Sequence, residues 1–165
     1  MVVATLFGAL LFGAAPDEPV LDHQPVVCTA PEKNARLCAY VADDGEVRRS
    51  RVYFRAKGQP AFYYVDMAFD GIQFCATLPA PKKNVPVVEY YVWAVDNDFL
   101  SQRTRTYEIA FTPTGCEFPV FDEDPTRTKG LVVAATSEKQ GKKIESFHEE
   151  GIGQFLHVEK RKKTK

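Results

Sequence analysis

From Asp43 to Asp96 the chain runs in short bursts of alternating apolar and polar residues, separated by turn residues. Side chains on a strand point to opposite faces in turn, so alternation at period two predicts half-buried strands. Residues 36–42 place Leu37, Ala39 and Val41 on one side and Arg36, Cys38 and Tyr40 on the other. After the turn Asp43-Asp44-Gly45, residues 51–55 put Val52 and Phe54 inward and Arg51 and Arg55 outward. Lys57-Gly58-Gln59-Pro60 is the next turn, and Phe62–Met67 the next strand. Beyond Asp70-Gly71, a shared core face is expected for Ile72, Phe74, Ala76 and Leu78. Pro79, Pro81 and Pro86 then break regular structure and predict a long loop. Val88–Val95 is apolar on both faces and reads as the central strand, with Val88, Tyr90, Val92 and Ala94 inward. After a tight turn at Asp96-Asn97-Asp98, Thr104–Phe111 is the last strand of the series, with Tyr107, Ile109 and Phe111 on one side. Many short strands at regular spacing predict an all-β fold of the sandwich type.

The pattern also divides the chain. Residues 1–15 carry no charge and read as a signal-like segment, too short to span a bilayer as a helix. Residues 16–25 read as a polar, Pro-rich linker, and 26–112 hold the sandwich domain. Residues 113–129, rich in Pro and acids, read as a second linker. Residues 130–165 form a C-terminal extension with short strands at Leu131–Ala135 and Phe155–Val158, ending in the basic run 160–165. About forty residues are too few for a second independent core, so this extension is expected to pack on the sandwich or continue it.

Composition narrows the picture. The chain has 165 residues, enough for one domain with a real core, and its 12 Phe and 7 Tyr favour strands. Net charge is −1, which gives no overall field toward nucleic acid, so no nucleic-acid partner is expected. No later segment is long and apolar enough for a transmembrane span.

Residues from about 20 to 112 resemble the immunoglobulin-like or fibronectin type III-like modules of bacterial exported proteins. The segments that carry the likeness are His23-Gln24-Pro25, Ala39-Tyr40-Val41-Ala42-Asp43-Asp44, Val52-Tyr53-Phe54-Arg55, Val65-Asp66-Met67, Phe74–Pro79 and Val88–Asp96. The resemblance implies a secreted, periplasmic or cell-envelope location and a non-catalytic structural or protein-interaction role. It further implies a tyrosine corner at the start of the sixth strand, with Tyr90 as the candidate. Residues 113–165 fall outside it.

Four cysteines suit an oxidising compartment, and the absence of Cys-x-x-Cys speaks against a zinc ribbon or thioredoxin-like site. Of three connectivities, the favoured one is Cys38–Cys75 with Cys28–Cys116. The first pair falls on the second and fifth strands, which neighbour each other in such sandwiches, and the second brackets the domain. The alternative is free buried thiols.

Three further readings concern chemistry. His23, His148 and His157 lack metal spacing, and there is no Gly-x-Ser-x-Gly elbow or phosphate-binding glycine loop, so no catalytic residue is assigned. Asp96 and Asp98, two apart at a strand end, are the candidate calcium ligands, against the simpler reading that they cap a turn. Tyr53, Tyr64, Tyr91 and Trp93 are expected to share the outer sheet face. There they would either stabilise the sheet and lie under the extension or offer a platform for a sugar ring or peptide. The leading expectation is therefore a protein or cell-envelope partner. A carbohydrate-binding module is the alternative, and an accessory domain of an exported hydrolase a weaker one.

Overall fold

The computed structural model describes residues 17–158 apart from 113, 115, 118, 119 and 125. The signal-like segment and the basic run lie outside the described residues. Twelve strands follow in order: β1 (Val20–Asp22), β2 (Cys28–Thr29), β3 (Arg36–Ala42), β4 (Val47–Ala56), β5 (Tyr63–Asp66), β6 (Ala68–Phe69), β7 (Phe74–Thr77), β8 (Val87–Asp96), β9 (Ser101–Arg103), β10 (Tyr107–Phe111), β11 (Leu131–Ala135) and β12 (Ile152–Leu156). One sheet has the order β1-β3-β7-β6. The other runs β12-β11-β5-β4-β8-β10-β2, with β9 also on β8. No helix occurs among the described residues. The architecture is all-β with two sheets, consistent with a β-sandwich.

The alternation sets which residues meet between the sheets. Leu37 and Ala39 of β3 join one core with Val52 and Phe54 of β4, Val88, Tyr90 and Val92 of β8 and Ile109 of β10. Removing such side chains from water contributes roughly 1.5–3 kcal/mol each. The long strands β4 and β8 pair antiparallel from Val47–Asp96 to Ala56–Val88 and form the middle of the larger sheet.

Several elements differ from the sequence expectation. Val20–Asp22, read as linker, pairs with β3 as β1. Ile72, expected in the core, is 77% exposed. The reason is local: Asp70 Oδ1 accepts the backbone N–H groups of Ile72 and Gln73, making a turn that delays the strand until Phe74. The expected last strand, Thr104–Phe111, starts only at Tyr107 as β10, and a separate short strand, β9, precedes it at Ser101–Arg103. Thr104 sits at the break, donating its N–H to the Val92 carbonyl and accepting the Val92 N–H on its hydroxyl. No tyrosine corner forms at Tyr90. Its hydroxyl accepts the N–H of Val26, far upstream, rather than bonding to the nearby corner.

The C-terminal extension both continues the sheet and enters the core. β11 pairs antiparallel with β5, and β12 runs parallel to β11. The connection between them buries Ile144 and Phe147, the latter edge-on to Phe54 at 5.1 Å and to Tyr63 at 6.3 Å. Gly151 opens the return into β12 with φ +85°, where a Cβ would collide with the Thr128 carbonyl.

The disulfides are Cys38–Cys75 and Cys28–Cys116. Cys38 and Cys75 are register partners on β3 and β7. Cys28 and Cys116 tie β2 to the chain just beyond β10, across 88 residues.

Candidate interaction face

Outward-pointing residues of the larger sheet line up in three rows, because register partners in a sheet share a face. In the middle row Tyr91 of β8, Tyr53 of β4 and Tyr64 of β5 lie side by side, followed by Ala134 of β11 and Leu156 of β12. The row toward the β8–β9 turn runs Arg103, Trp93, Arg51, Asp66. The row on the other side runs Glu108, Glu89, Arg55. The four aromatic residues singled out from sequence thus share one face, all half-buried.

Ring contacts and cations hold this face together. Tyr53 stacks on Tyr91 at 4.8 Å with an interplanar angle of 7°, meets Tyr64 at 5.5 Å and stands edge-on to Trp93 at 6.4 Å. Phe62 stands edge-on to Tyr91 at 5.1 Å. Arg51 lies over Tyr64 at 4.0 Å and Trp93 at 5.9 Å, Arg55 over Phe62 at 4.2 Å, and Arg103 over Tyr91 at 5.3 Å. Each cation–ring contact is worth roughly 0.5–1 kcal/mol at an exposed site. Arg51 also pairs with Asp66 at 2.7 Å, and Arg55 with Glu89 at 2.6 Å. Burial first, then the neighbouring Tyr53, pushes the Tyr91 hydroxyl above its ordinary range, with Arg103 opposing, so the phenol stays neutral. β11 and β12 extend the sheet sideways beyond β5, Phe147 goes to the inner side, and Thr136 and Gln140 of the connection bond the Phe62 carbonyl.

The sequence pattern placed the tyrosines, the tryptophan, Arg51 and Arg55 at outward positions, but not the stacking of the arginines on the rings. The signal was the spacing of Arg51 and Arg55 around Tyr53, which puts cations and rings on one face. Arg103 carried no such signal, because its position depends on the break at Thr104.

Asp96 is 2% exposed, and its Oδ1 accepts the Leu100 N–H at 2.9 Å, closing the turn between β8 and β9. Asp98 is exposed. No group of three or more His, Cys, Asp or Glu that could hold a metal gathers among the described residues.

The histidines go to three places. His23 is buried, and its Nδ1 lies 2.7 Å from the Cys38 carbonyl. A carbonyl can only accept, so Nδ1 donates, and Nε2 accepts the Tyr90 hydroxyl at 2.8 Å. The Tyr90 oxygen in turn accepts the Val26 N–H at 2.9 Å. Burial lowers the His23 pKa, against the Cys38 bond and the charge of Asp22, and burial raises that of Tyr90. The ring is therefore neutral and serves as a latch between the leading segment, β3 and β8. His148 Nε2 lies 3.5 Å from Glu32 Oε1 beside a groove of about 430 Å³ that also borders Lys129 and Glu150. Both side chains are half-exposed. His157 is half-buried near the end of the described chain.

A groove of about 520 Å³ lies beside the β4–β5 turn, where Ser146 Oγ accepts Gln59 Nε2 at 3.0 Å. A second groove of about 480 Å³ runs along the smaller sheet past Arg36, Cys38 and Tyr40, and its cysteine is held in the disulfide. No helix of the described residues is long and apolar enough to cross a membrane. Two disulfides are compatible with an extracellular or periplasmic protein. No protein-family model matches the chain. A search of curated proteins finds no match either.

Proposed function

We propose that the chain is a non-catalytic exported module of the immunoglobulin-like or fibronectin type III-like kind. It binds a protein or cell-envelope partner through the outer face of the larger sheet. Strand order supports the module type. β1-β3-β7-β6 faces β4-β8-β10, an arrangement equivalent to the four- and three-stranded sheets of constant-type immunoglobulin domains. β5 beside β4, the short β9 on β8, the parallel strand β2 and the added pair β11–β12 depart from that plan.

The observation that carries the function is the arginine–aromatic face itself. Tyrosine, tryptophan and arginine are the residues that concentrate binding energy at protein interfaces. Here their side chains are already stacked, so little rotamer entropy remains to be lost on binding. A sugar platform needs a ring face open to the sugar. Tyr53 and Tyr91 turn their faces to each other, and Arg51 and Arg103 lie over Tyr64 and Tyr91. This favours a protein partner over a glycan.

The test is an array of exported proteins and glycans probed with the wild type and with Tyr53→Ala. Tyr53 touches Tyr64, Tyr91 and Trp93, so its loss disorders the row without opening the core. Binding to a protein that falls at least about tenfold in the variant is the expected result, since hot-spot truncations cost about 2 kcal/mol or more. Binding confined to glycans, or protein binding indifferent to Tyr53, would sink the reading.

A further inference from the structure

Charge on the outer face is distributed unevenly. Toward the β4–β5 turn each cation has a carboxylate: Arg55 has Glu89, and Lys57 has Glu108 at 2.8 Å. Toward the β8–β9 turn, Arg49, Arg51 and Arg103 surround Trp93 and Val95. Arg49 is the register partner of Val95, and Arg51 and Arg103 flank Trp93 on its two sides. Arg49 and Arg103 are exposed, and neither has a carboxylate partner among the described residues. Asp66, paired with Arg51, is itself exposed.

Strand geometry sets the spacing of these cations. Arg49 and Arg51 lie two residues apart on β4, roughly 7 Å, and Arg51 and Arg103 two strand spacings apart, roughly 10 Å. Alternate residues of an extended peptide repeat at the same roughly 7 Å. A guanidinium stacked on a ring presents its face to the ring and keeps its N–H edge for an oxygen acceptor. Arg51 and Arg103 lie over Tyr64, Trp93 and Tyr91; Arg51 gives its Nε to Asp66 and Arg103 bonds the Tyr91 hydroxyl, and each guanidinium has further N–H groups for an incoming acceptor.

We propose that this end of the face receives an extended acidic segment of a protein partner. Carboxylates at alternate positions meet Arg49 and Arg51, and a further one reaches Arg103. The proposal rests on the protein-binding reading above and names the chemistry of that partner. A long polyanion such as a sulfated polysaccharide fits less well. Running along the face, it would meet Glu89 and Glu108, and a net charge of −1 gives no general attraction.

Trp93 is the only tryptophan in the chain, so tryptophan emission, excited where tyrosine does not absorb, reports on this site alone. The experiment titrates the full chain with a short synthetic peptide of alternating Glu and Ser, with a Lys and Ser peptide and a heparin fragment in parallel. A saturable change in Trp93 emission with the acidic peptide, weakening as salt rises, is expected. The double variant Arg49→Ala/Arg103→Ala should bind about tenfold or more weakly, as expected for lost charge-assisted hydrogen bonds, while Lys57→Ala binds as the wild type does. No saturable response, an unchanged double variant, or tighter binding of the heparin fragment would overturn the inference. If a protein found through its dependence on Tyr53 still binds the double variant fully, the acidic-segment inference fails and the face remains. If no protein depends on Tyr53, the face itself is refuted.

Discussion

At the scale of single residues, Tyr90 shows how one side chain can serve both core and polar network. Its ring lies in the core, while its hydroxyl joins His23 Nε2 to the Val26 N–H. Tyr90→Phe keeps the ring and leaves both partners without their bond. A loss of roughly 1–3 kcal/mol in urea unfolding is expected, the usual cost of a buried group left unpaired. pH dependence follows from His23. Burial lowers its folded pKa below 6.5, so the unfolded chain takes up a proton that the folded chain resists. This contribution to stability is complete above pH about 6.5, falls as pH drops below it, and levels off below the folded pKa. Urea midpoints at pH 7.5 and pH 5.5 should differ by more in the wild type than in His23→Gln, and equal differences would remove His23 from the account. The sequence placed Tyr90 on an inner face. It gave no sign of the latch, because His23 is 67 residues away and its partner depends on β1 pairing with β3.

At the scale of elements, alternation was readable wherever strands ran long. Residues 36–42 form β3 with the expected faces, and residues 88–95 lie within β8. It failed where a side chain captured backbone donors. The Asp70 turn displaced Ile72 through local bonds, and Thr104, bonded across to Val92 of β8, stands ahead of a last strand that begins only at Tyr107; a period-two pattern contains neither. The extension gives the sharpest test at this scale. Phe147→Ala should cost about 3–5 kcal/mol, as for a large core side chain, and should expose Phe54 and Tyr63. A change under about 1 kcal/mol would mean that residues 137–150 do not plug the core. The disulfides also rank. Chain entropy gives the Cys28–Cys116 bond about 0.8 kcal/mol more than Cys38–Cys75, because it closes a loop of 88 rather than 37 residues. Paired Cys→Ala variants compared by thermal unfolding should follow that order. The reverse order would show that strain or residual structure, rather than loop length, dominates.

At the scale of the whole molecule, the two faces of the larger sheet have different work. The inner face and Phe147 bury the apolar residues, while the outer face carries stacked rings and arginines that the core does not need. Which side chains face outward was legible from alternation alone. The cation–ring stacking was not, since it needs the register of four strands at once. The most direct measurement of the face is acrylamide quenching of Trp93 emission in the free chain and in complex with a protein captured in the Tyr53-dependent screen. Bound partner should shield Trp93 and lower the quenching constant several-fold. Quenching unchanged in a saturated complex would place the partner elsewhere and contradict the account.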